Sequence, residues 1–179
     1  MSKERLHVYL STARIAEIVA GMGKAINAEY TKLLGPGEEL LVVVTLKGAM
    51  FFAADLLRQV TVPVNIDFVR LTSYGQGTKS SGVVRILKDV ENSPEGKHVL
   101  VLDEIVDSGR TLSFLSSRIG SQGPKSLRVG ALLSKPSRRE VPVAVDFLGL
   151  EVDDKFLVGY GLDFGERFRN LADICYLEQ

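Results

Sequence analysis

The chain has 179 residues, of which 45% are hydrophobic, so it can bury a sizeable core. Its 22 basic residues balance its 22 acidic residues, which argues against nucleic acid or a membrane surface as the main partner. The one cysteine, Cys175, excludes an internal disulfide and indicates a reducing compartment, of which the cytoplasm is the simplest.

The N-terminal segment predicts a helix and shows no targeting signal. Residues 1–10 lack the long apolar core of a signal peptide, and no run reaches the roughly 20 apolar residues that span a bilayer. Ser11 or Thr12 is expected to cap an amphipathic helix, because apolar residues then recur at spacings of three and four. Gly21, Gly23 and Lys24 resemble a fragment of a phosphate loop, but no strand precedes them, so a helix is favoured.

The next elements alternate between strands and helices. Residues 40–46 (LLVVVTL) predict a buried strand, and Lys47 and Gly48 separate it from a helix over 49–57. That helix is apolar nearly all round, which indicates burial beneath a sheet or in a contact between subunits, so a homodimer or homotetramer is expected. Residues 62–68 alternate between apolar and polar side chains, as a half-buried strand does.

Glycine and small polar residues dominate positions 73–82, which predict a mobile loop between two strands, a long hairpin or flap. Residues 83–87 return as a strand, and residues 126–133 supply a later one. Strands alternating with helices predict a mostly parallel sheet flanked by helices, with ligands bound at the carboxyl ends of the strands.

The stretch from Val99 to Leu112 (VLVLDEIVDSGRTL) predicts a buried strand, a loop and a helix start. Free backbone N–H groups at a helix start favour an anion, and the glycine and hydroxyl residues of the loop suit a phosphate. Three acids, Asp103, Glu104 and Asp107, need another role there. They could serve ribose hydroxyls, a magnesium ion or a group that loses a proton, or they could form a solvated loop that caps the helix.

The tail from Lys135 onward is rich in aromatic and charged residues and predicts a small lobe with a ring-binding pocket. We expect one domain over residues 1–179, with a hood built mainly from 135–179 and an N-terminal contribution. Taken alone, Lys47 and Lys135 are more often solvated lysines, and Phe156 is more often a core residue. His7, His98 and Cys175 show no spacing typical of a metal or nucleophilic site.

The combined motifs resemble a known family. VLVLDEIVDSGRTL is similar to the phosphoribosyl-pyrophosphate motif of type I phosphoribosyltransferases, and DFLGLEVDDKFLVGYGLDFGERFRNLADI is similar to the tail of hypoxanthine (guanine) phosphoribosyltransferases. Further matching pieces are LKG at 46–48, RLTSYG at 70–75 and the lysine of LLSKP, Lys135. Family members commonly carry Glu then Asp, or two Asp, where this chain carries Asp103 and Glu104.

The resemblance implies a fold and a reaction. The fold is a twisted, mostly parallel sheet flanked by helices, with a small hood and a flexible flap. The reaction joins a 6-oxopurine to the ribose C1 of phosphoribosyl pyrophosphate, with Mg²⁺, and releases pyrophosphate. An enzyme that prefers xanthine and guanine is a close alternative. A regulator that senses phosphoribosyl pyrophosphate or binds RNA is another, but the chain shows no added basic face or extra domain.

The resemblance also implies site residues. The 5′-phosphate would be held by Asp107, Ser108, Gly109, Arg110 and Thr111. The ribose would be held by Asp103 and Glu104, which with Asp163 would also contact magnesium. The pyrophosphate would be held by Leu46, Lys47, Gly48 and Arg169, with a non-proline cis peptide between Leu46 and Lys47. The purine would be held by Lys135, Phe156, Leu157 and Asp163.

Two further roles follow from the same resemblance. Asp107 would accept the proton from purine N7, and a positioned base typically contributes about 10²–10⁴-fold to a rate. Lys135 would donate to the O6 of the purine, which disfavours adenine because its amino group is also a donor. Ser73 and Tyr74 would belong to a flap that excludes water from the reacting centre.

Overall fold

The structure is a computed structural model that describes residues 5–74 and 83–178. Its strands are β1 (Leu6–Leu10), β2 (Leu40–Leu46), β3 (Val64–Tyr74), β4 (Val83–Lys88), β5 (His98–Val106), β6 (Ser126–Ser134), β7 (Phe147–Glu151), β8 (Leu157–Val158) and β9 (Ile174–Leu177). Its α-helices are α1 (Thr12–Leu33), α2 (Met50–Leu57) and α3 (Arg110–Gly120), and a short 3₁₀ turn spans Pro136–Arg138.

The central sheet has six strands in the order β4-β3-β2-β5-β6-β7. Neighbouring strands run parallel except β3 and β4, which form an antiparallel pair at one edge. Because the parallel strands point the same way, the ends of β2, β5 and β6 meet at one edge of the sheet. The prediction of a mostly parallel sheet flanked by helices is confirmed.

The apolar runs in β2 and β5 are explained by helices on both faces of the sheet. Val42 and Leu100 face the layer that contains α1 and α2, whereas Val43 and Val101 face the layer that contains α3. All four side chains are fully buried. Burying such a side chain stabilises the fold by about 1.5–3 kcal/mol, so these two strands anchor the loops that follow them.

The predicted first helix is present, and it begins where its cap was expected. The Ser11 side chain accepts a hydrogen bond from the Arg14 backbone N–H at 3.3 Å, and the neighbouring Thr12 binds Asp173. Gly21, Gly23 and Lys24 lie within α1 and form no phosphate loop.

The hood differs from the prediction in its boundaries. β1 lies antiparallel to β9, which also pairs with β8, so the N-terminal strand completes a separate three-stranded sheet. Residues 147–151 were expected in the hood, but they form β7, which lies parallel to β6 at the edge of the central sheet. β1 itself was not predicted, because Leu6, His7 and Val8 are all exposed and give no alternating pattern.

The flap prediction falls largely on positions 75–82, which lie outside the described residues. The described backbone shows that β3 extends to Tyr74, where Ser73 pairs with Val84 and Tyr74 with Val83. The two strands that would carry a flap are therefore paired as expected. No helix in the described ranges is long and apolar enough to cross a membrane.

Candidate functional site

A cavity of about 210 Å³ opens where β2 and β5 end. The end of β5 and the loop that follows it, together residues 103–109, form much of its wall, and Thr45 and Leu46 close it on the β2 side. The loop stays at this edge because β5 is buried up to Asp103 and α3 is fixed below by Leu112 and Leu115.

The loop before α3 has the geometry of an anion site. Gly109 is the N-cap of α3 and has φ = +84°, a left-handed conformation that glycine adopts without a steric cost. A Cβ there would also collide with the Val141 carbonyl oxygen. The Ser108 carbonyl accepts hydrogen bonds from the N–H groups of Glu140 and Val141 at 2.9 and 3.0 Å, which fixes the loop from behind.

Not all side chains of residues 108–111 line the cavity. Thr111 lines the cavity beside Ser108, as expected of two hydroxyl donors. The Arg110 side chain instead pairs with Glu140 at 2.6 Å, and its backbone N–H donates to the Ser108 hydroxyl at 3.4 Å.

The first two acids of the motif lie side by side at the end of β5. Asp103 is only 8% exposed, and it accepts hydrogen bonds from the Thr45 hydroxyl at 2.6 Å and the Glu104 N–H at 3.1 Å. The carboxylate of Glu104 packs against Gly48, where any Cβ would collide with it. Burial, with the nearby charge of Asp103 second, raises the pKa of Glu104 well above its usual range.

This donor set fits a magnesium ion that binds together with a phosphorylated ligand. The described residues contain no group of three or more His, Cys, Asp or Glu side chains that could hold a metal alone. Mg²⁺ commonly uses one or two carboxylates, with waters and substrate oxygens completing its shell. Asp103 and Glu104 supply two carboxylates whose mutual repulsion a divalent cation would relieve. Asp163, the third expected ligand, contacts Arg169 at 2.7 Å.

A second cavity, of about 440 Å³, adjoins the first. The two share Glu104, Ile105 and Asp107, so Asp107 faces both. The second cavity is also lined by every residue predicted for a purine: Lys135, Phe156, Leu157 and Asp163.

Lys135 is the buried cation of this cavity. It follows β6, it is 7% exposed, and its Nζ donates to the Lys155 carbonyl oxygen at 2.7 Å. Phe156 is 47% exposed and meets Phe164 edge to face, with 5.5 Å between the ring centroids. The ring of Phe156 is thus accessible for stacking, whereas Tyr160 is buried and donates to Asp55 at 2.7 Å.

Two residues predicted for pyrophosphate lie next to Glu104, since Leu46 lines the first cavity with it and Gly48 packs against its carboxylate. The peptide bond between Leu46 and Lys47 is cis, as the resemblance implied. Lys47 pairs with Glu166 at 2.6 Å, and Arg169 donates to the Gly161 carbonyl at 2.7 Å besides its contact with Asp163. The Lys47 ammonium lowers the pKa of Glu166 through this hydrogen bond.

Four residues of the site were not predicted. Thr45 holds Asp103, and Glu166 joins Lys47 to Arg169 with contacts of 2.6 and 3.4 Å. Arg138 and Asp154 line the larger cavity. The run KPSRR after β6 contained a signal, because charged residues three apart in a tight turn share one side, but only the fold shows that this side faces Asp107.

The residues interpreted as structural have structural contacts. His98 begins β5, with Nδ1 2.8 Å from the Ser126 hydroxyl, and His7 stacks on Tyr176 with ring centroids 5.2 Å apart. Cys175 is a buried free thiol, and burial raises its pKa.

The comparisons with known proteins agree with this architecture. A family model described as "Phosphoribosyl transferase domain" matches residues 9–165. A hypoxanthine-guanine phosphoribosyltransferase of Mycobacterium tuberculosis is 42% identical over 172 residues, which are 96% of this chain and 85% of that protein. A hypoxanthine phosphoribosyltransferase of Salmonella typhimurium is 42% identical over 169 residues, covering 94% of this chain and 93% of that protein.

A solved structure gives the same result in three dimensions. The crystal structure of a hypoxanthine phosphoribosyltransferase from Staphylococcus aureus superposes with a TM-score of 0.88 at 35% identity, covering 96% of this chain and 91% of the other. The sheet order, the anion loop before α3 and these matches lead to one conclusion. The chain belongs to the phosphoribosyl transferase domain family.

Proposed function

We propose that this protein transfers the 5-phosphoribosyl group of phosphoribosyl pyrophosphate to N9 of a 6-oxopurine, hypoxanthine or guanine, in purine salvage. The observation that carries this function is the position of Asp107. It lines both the cavity of about 210 Å³ beside the loop before α3 and the cavity of about 440 Å³ that contains Lys135 and Phe156. One carboxylate can therefore reach a purine while the adjoining loop holds a sugar phosphate. The names and sequence identities of the relatives support the same reaction.

The purine side of the reaction follows from hydrogen-bond chemistry. Purine N7 and O6 lie on the same edge of the ring system, so two neighbouring groups can read both atoms. Asp107 accepts the N7 proton as the bond forms at N9, and Lys135 donates to O6. Phe156 supplies a stacking surface, and the backbone near Leu157 and Asp163 receives a 2-amino group.

The sugar side depends on anion binding. The N–H groups of residues 108–111 and the hydroxyls of Ser108 and Thr111 hold the 5′-phosphate, and Asp103 and Glu104 bind the ribose hydroxyls. Lys47, Arg169 and the backbone of residues 46–48 stabilise the charge that grows on the leaving pyrophosphate. Magnesium bound near Asp103, Glu104 and Asp163 would add charge stabilisation for the same leaving group.

The active site also accounts for discrimination between bases. The amino group of adenine would meet the Lys135 ammonium donor against donor, so adenine is a poor substrate. An enzyme that prefers xanthine and guanine would differ from this assignment only in its contacts to the 2-position of the purine, near Leu157.

Nucleotide formation with four bases tests the function. Purified protein with phosphoribosyl pyrophosphate and Mg²⁺ should convert hypoxanthine and guanine, and should leave adenine almost unused. Preference for xanthine would move the assignment to the xanthine-guanine alternative. Absence of product with every base, while phosphoribosyl pyrophosphate still binds, would contradict the enzyme assignment.

Two broader proposals accompany the reaction. A homodimer or homotetramer is proposed as the assembled form, since apolar side chains of α2 and β3 are exposed, among them Met50 and Ile66. The cytoplasm is proposed as the location, because the one cysteine is a buried free thiol.

A further inference from the structure

Asp107 is held from one side by an arginine of the 3₁₀ turn. Its Oδ1 is shielded from solvent, and within the described residues no donor meets that oxygen with hydrogen-bond geometry. The Arg138 Nε lies 2.9 Å from it, so the contact is an ion pair. A shielded carboxylate oxygen requires such compensation, and Oδ2 is the oxygen left for other partners.

The same arginine leads to the lysine of the purine cavity. Arg138 Nη1 lies 3.4 Å from Asp154 Oδ2, and Asp154 Oδ1 lies 3.8 Å from Lys135 Nζ. Four alternating charges therefore connect Asp107 to Lys135, and we call this chain of contacts the charge bridge. Its inner members, Arg138 and Asp154, both line the larger cavity.

The backbone places the two cations of the charge bridge, Lys135 and Arg138, on one turn. Pro136 begins the 3₁₀ turn, and the Arg138 N–H donates to the Lys135 carbonyl at 3.1 Å. The Lys135 N–H in turn donates to the Val106 carbonyl at 2.9 Å, next to Asp107. The turn is thus tied to the loop that carries the acid, and the two cations leave it toward the same cavity.

Most of the charge bridge is exposed to solvent. The side chains of Arg138, Asp107 and Asp154 are 52%, 47% and 49% exposed. Ion pairs this exposed contribute little to stability, because solvent screens them. What the contacts do show is that the Asp107 carboxylate and the Lys135 ammonium are joined through the same two side chains.

We propose that Arg138 and Asp154 are positioning residues that hold Asp107 and Lys135 at the spacing of N7 and O6 of one 6-oxopurine. The inference rests on the proposed function, because Asp107 and Lys135 are its proton acceptor and O6 donor. Arg138 turns Oδ2 of Asp107 toward the base, and Asp154 restrains the Lys135 ammonium.

The first test is a double-mutant cycle on turnover. We expect Arg138→Gln to lower kcat about tenfold at saturating substrates, since a misplaced catalytic group loses much of its effect, with KM for phosphoribosyl pyrophosphate nearly unchanged. In an Asp107→Asn background the same change should have almost no further effect, because the group it positions is gone. Arg138→Lys, which keeps the charge, should fall between the wild type and Arg138→Gln.

The second test concerns the lysine end. Asp154→Asn should raise KM for hypoxanthine several-fold, and it should add nothing in a Lys135→Ala background. Arg14→Gln is the matched control, because Arg14 forms an equally exposed pair with Glu17 at 2.7 Å on α1, away from both cavities. Its kinetic constants should equal those of the wild type.

The outcomes separate the inference from the function beneath it. Wild-type kinetics in Arg138→Gln would overturn the inference while leaving the transferase assignment intact. Equal losses from Arg138→Gln in both backgrounds would also overturn it, because they would show a general structural effect. A wild-type protein that forms no nucleotide would instead contradict the proposed function.

Discussion

Asp107 is the residue on which the proposed chemistry most depends. It adjoins both cavities, and its substitution by asparagine keeps the size of the side chain while removing the proton acceptor. We expect Asp107→Asn to lower turnover by at least about tenfold, within the range for loss of a general base. Binding of phosphoribosyl pyrophosphate, measured by calorimetry with Mg²⁺, should persist because the backbone of the anion loop is unchanged.

The matched control for this change is Asp153→Asn, an exposed aspartate that lines neither of the two cavities. Its turnover should equal that of the wild type. Wild-type turnover in Asp107→Asn would contradict the role of Asp107 as the base.

In the proposed function, Lys135 is the residue that selects among purines. It is buried, and its ammonium already donates to a backbone carbonyl, which orients it in the cavity. Lys135→Ala should therefore raise KM for hypoxanthine by about tenfold, the loss of one charged hydrogen bond, and change KM for phosphoribosyl pyrophosphate little. Steady-state kinetics with hypoxanthine and adenine measures this, and equal use of both bases by the wild type would contradict the selectivity argument.

Asp67 holds together the turn between β4 and β5. It is 4% exposed, and its Oδ2 accepts from the N–H groups of Glu91 and Asn92 at 2.7 and 2.8 Å. Burial alone raises the pKa of Asp67, but the hydrogen bonds from Asn92, Phe68 and Glu91 outweigh it and lower the pKa below its ordinary value. The carboxylate therefore stabilises the edge of the sheet from which the predicted flap extends.

We predict that Asp67→Asn lowers the free energy of unfolding by about 2 kcal/mol at pH 7, since charged hydrogen bonds are lost. The folded pKa of Asp67 is lowered, so its contribution is complete above the ordinary aspartate value of about 4 and is lost as the pH falls below it. Urea unfolding at pH values from 7 to 3 should show that the difference in the free energy of unfolding between the wild type and Asp67→Asn becomes small at the acid end. Glu95→Gln, an exposed change in the same turn, should leave the unfolding curve unmoved, and a gap independent of pH would contradict the assignment to Asp67.

Helices and strands whose buried residues recur at a regular spacing could be predicted from the sequence. Strands with few buried residues could not. β2 and β5 carry continuous apolar runs because both faces are covered, and α1 shows its buried stripe in its spacing. β1 and β7 lie at edges with few buried residues, so their sequences resemble loops. Their places depend on contacts with distant segments, which no local pattern contains.

The residues that follow each strand could be predicted from the sequence, but the distant residues that they contact could not. Lys47 and Lys135 each follow an apolar strand, which is a signal that the sequence contains. The contact of Lys47 with Glu166 joins positions 119 residues apart, and that of Arg138 with Asp107 joins a turn to a loop across β6. Such pairs depend on how the hood sits on the sheet, which the motifs alone do not specify.

Self-association is the prediction that belongs to the molecule as a whole. Met50 on α2 is 46% exposed, and Ile66 and Phe68 on β3 are 44% and 37% exposed. Ile66 and Phe68 are two residues apart in β3 and so share one face of that strand. Exposed apolar side chains grouped in this way are typical of a surface that a second copy covers. Light scattering should give the mass of a dimer or tetramer, and Met50→Glu with Ile66→Glu should reduce it. A monomeric wild type would contradict the prediction.

The ion pair between Lys47 and Glu166 changes how the binding of pyrophosphate should be understood. In the proposed reaction, the cation that receives the leaving group already holds a carboxylate from the same chain. When pyrophosphate binds Lys47, it must therefore displace Glu166. Because Glu166 belongs to the same chain, it competes at a constant effective concentration. When the product departs, Glu166 takes its place, so the lysine passes from one counter-charge to another during turnover.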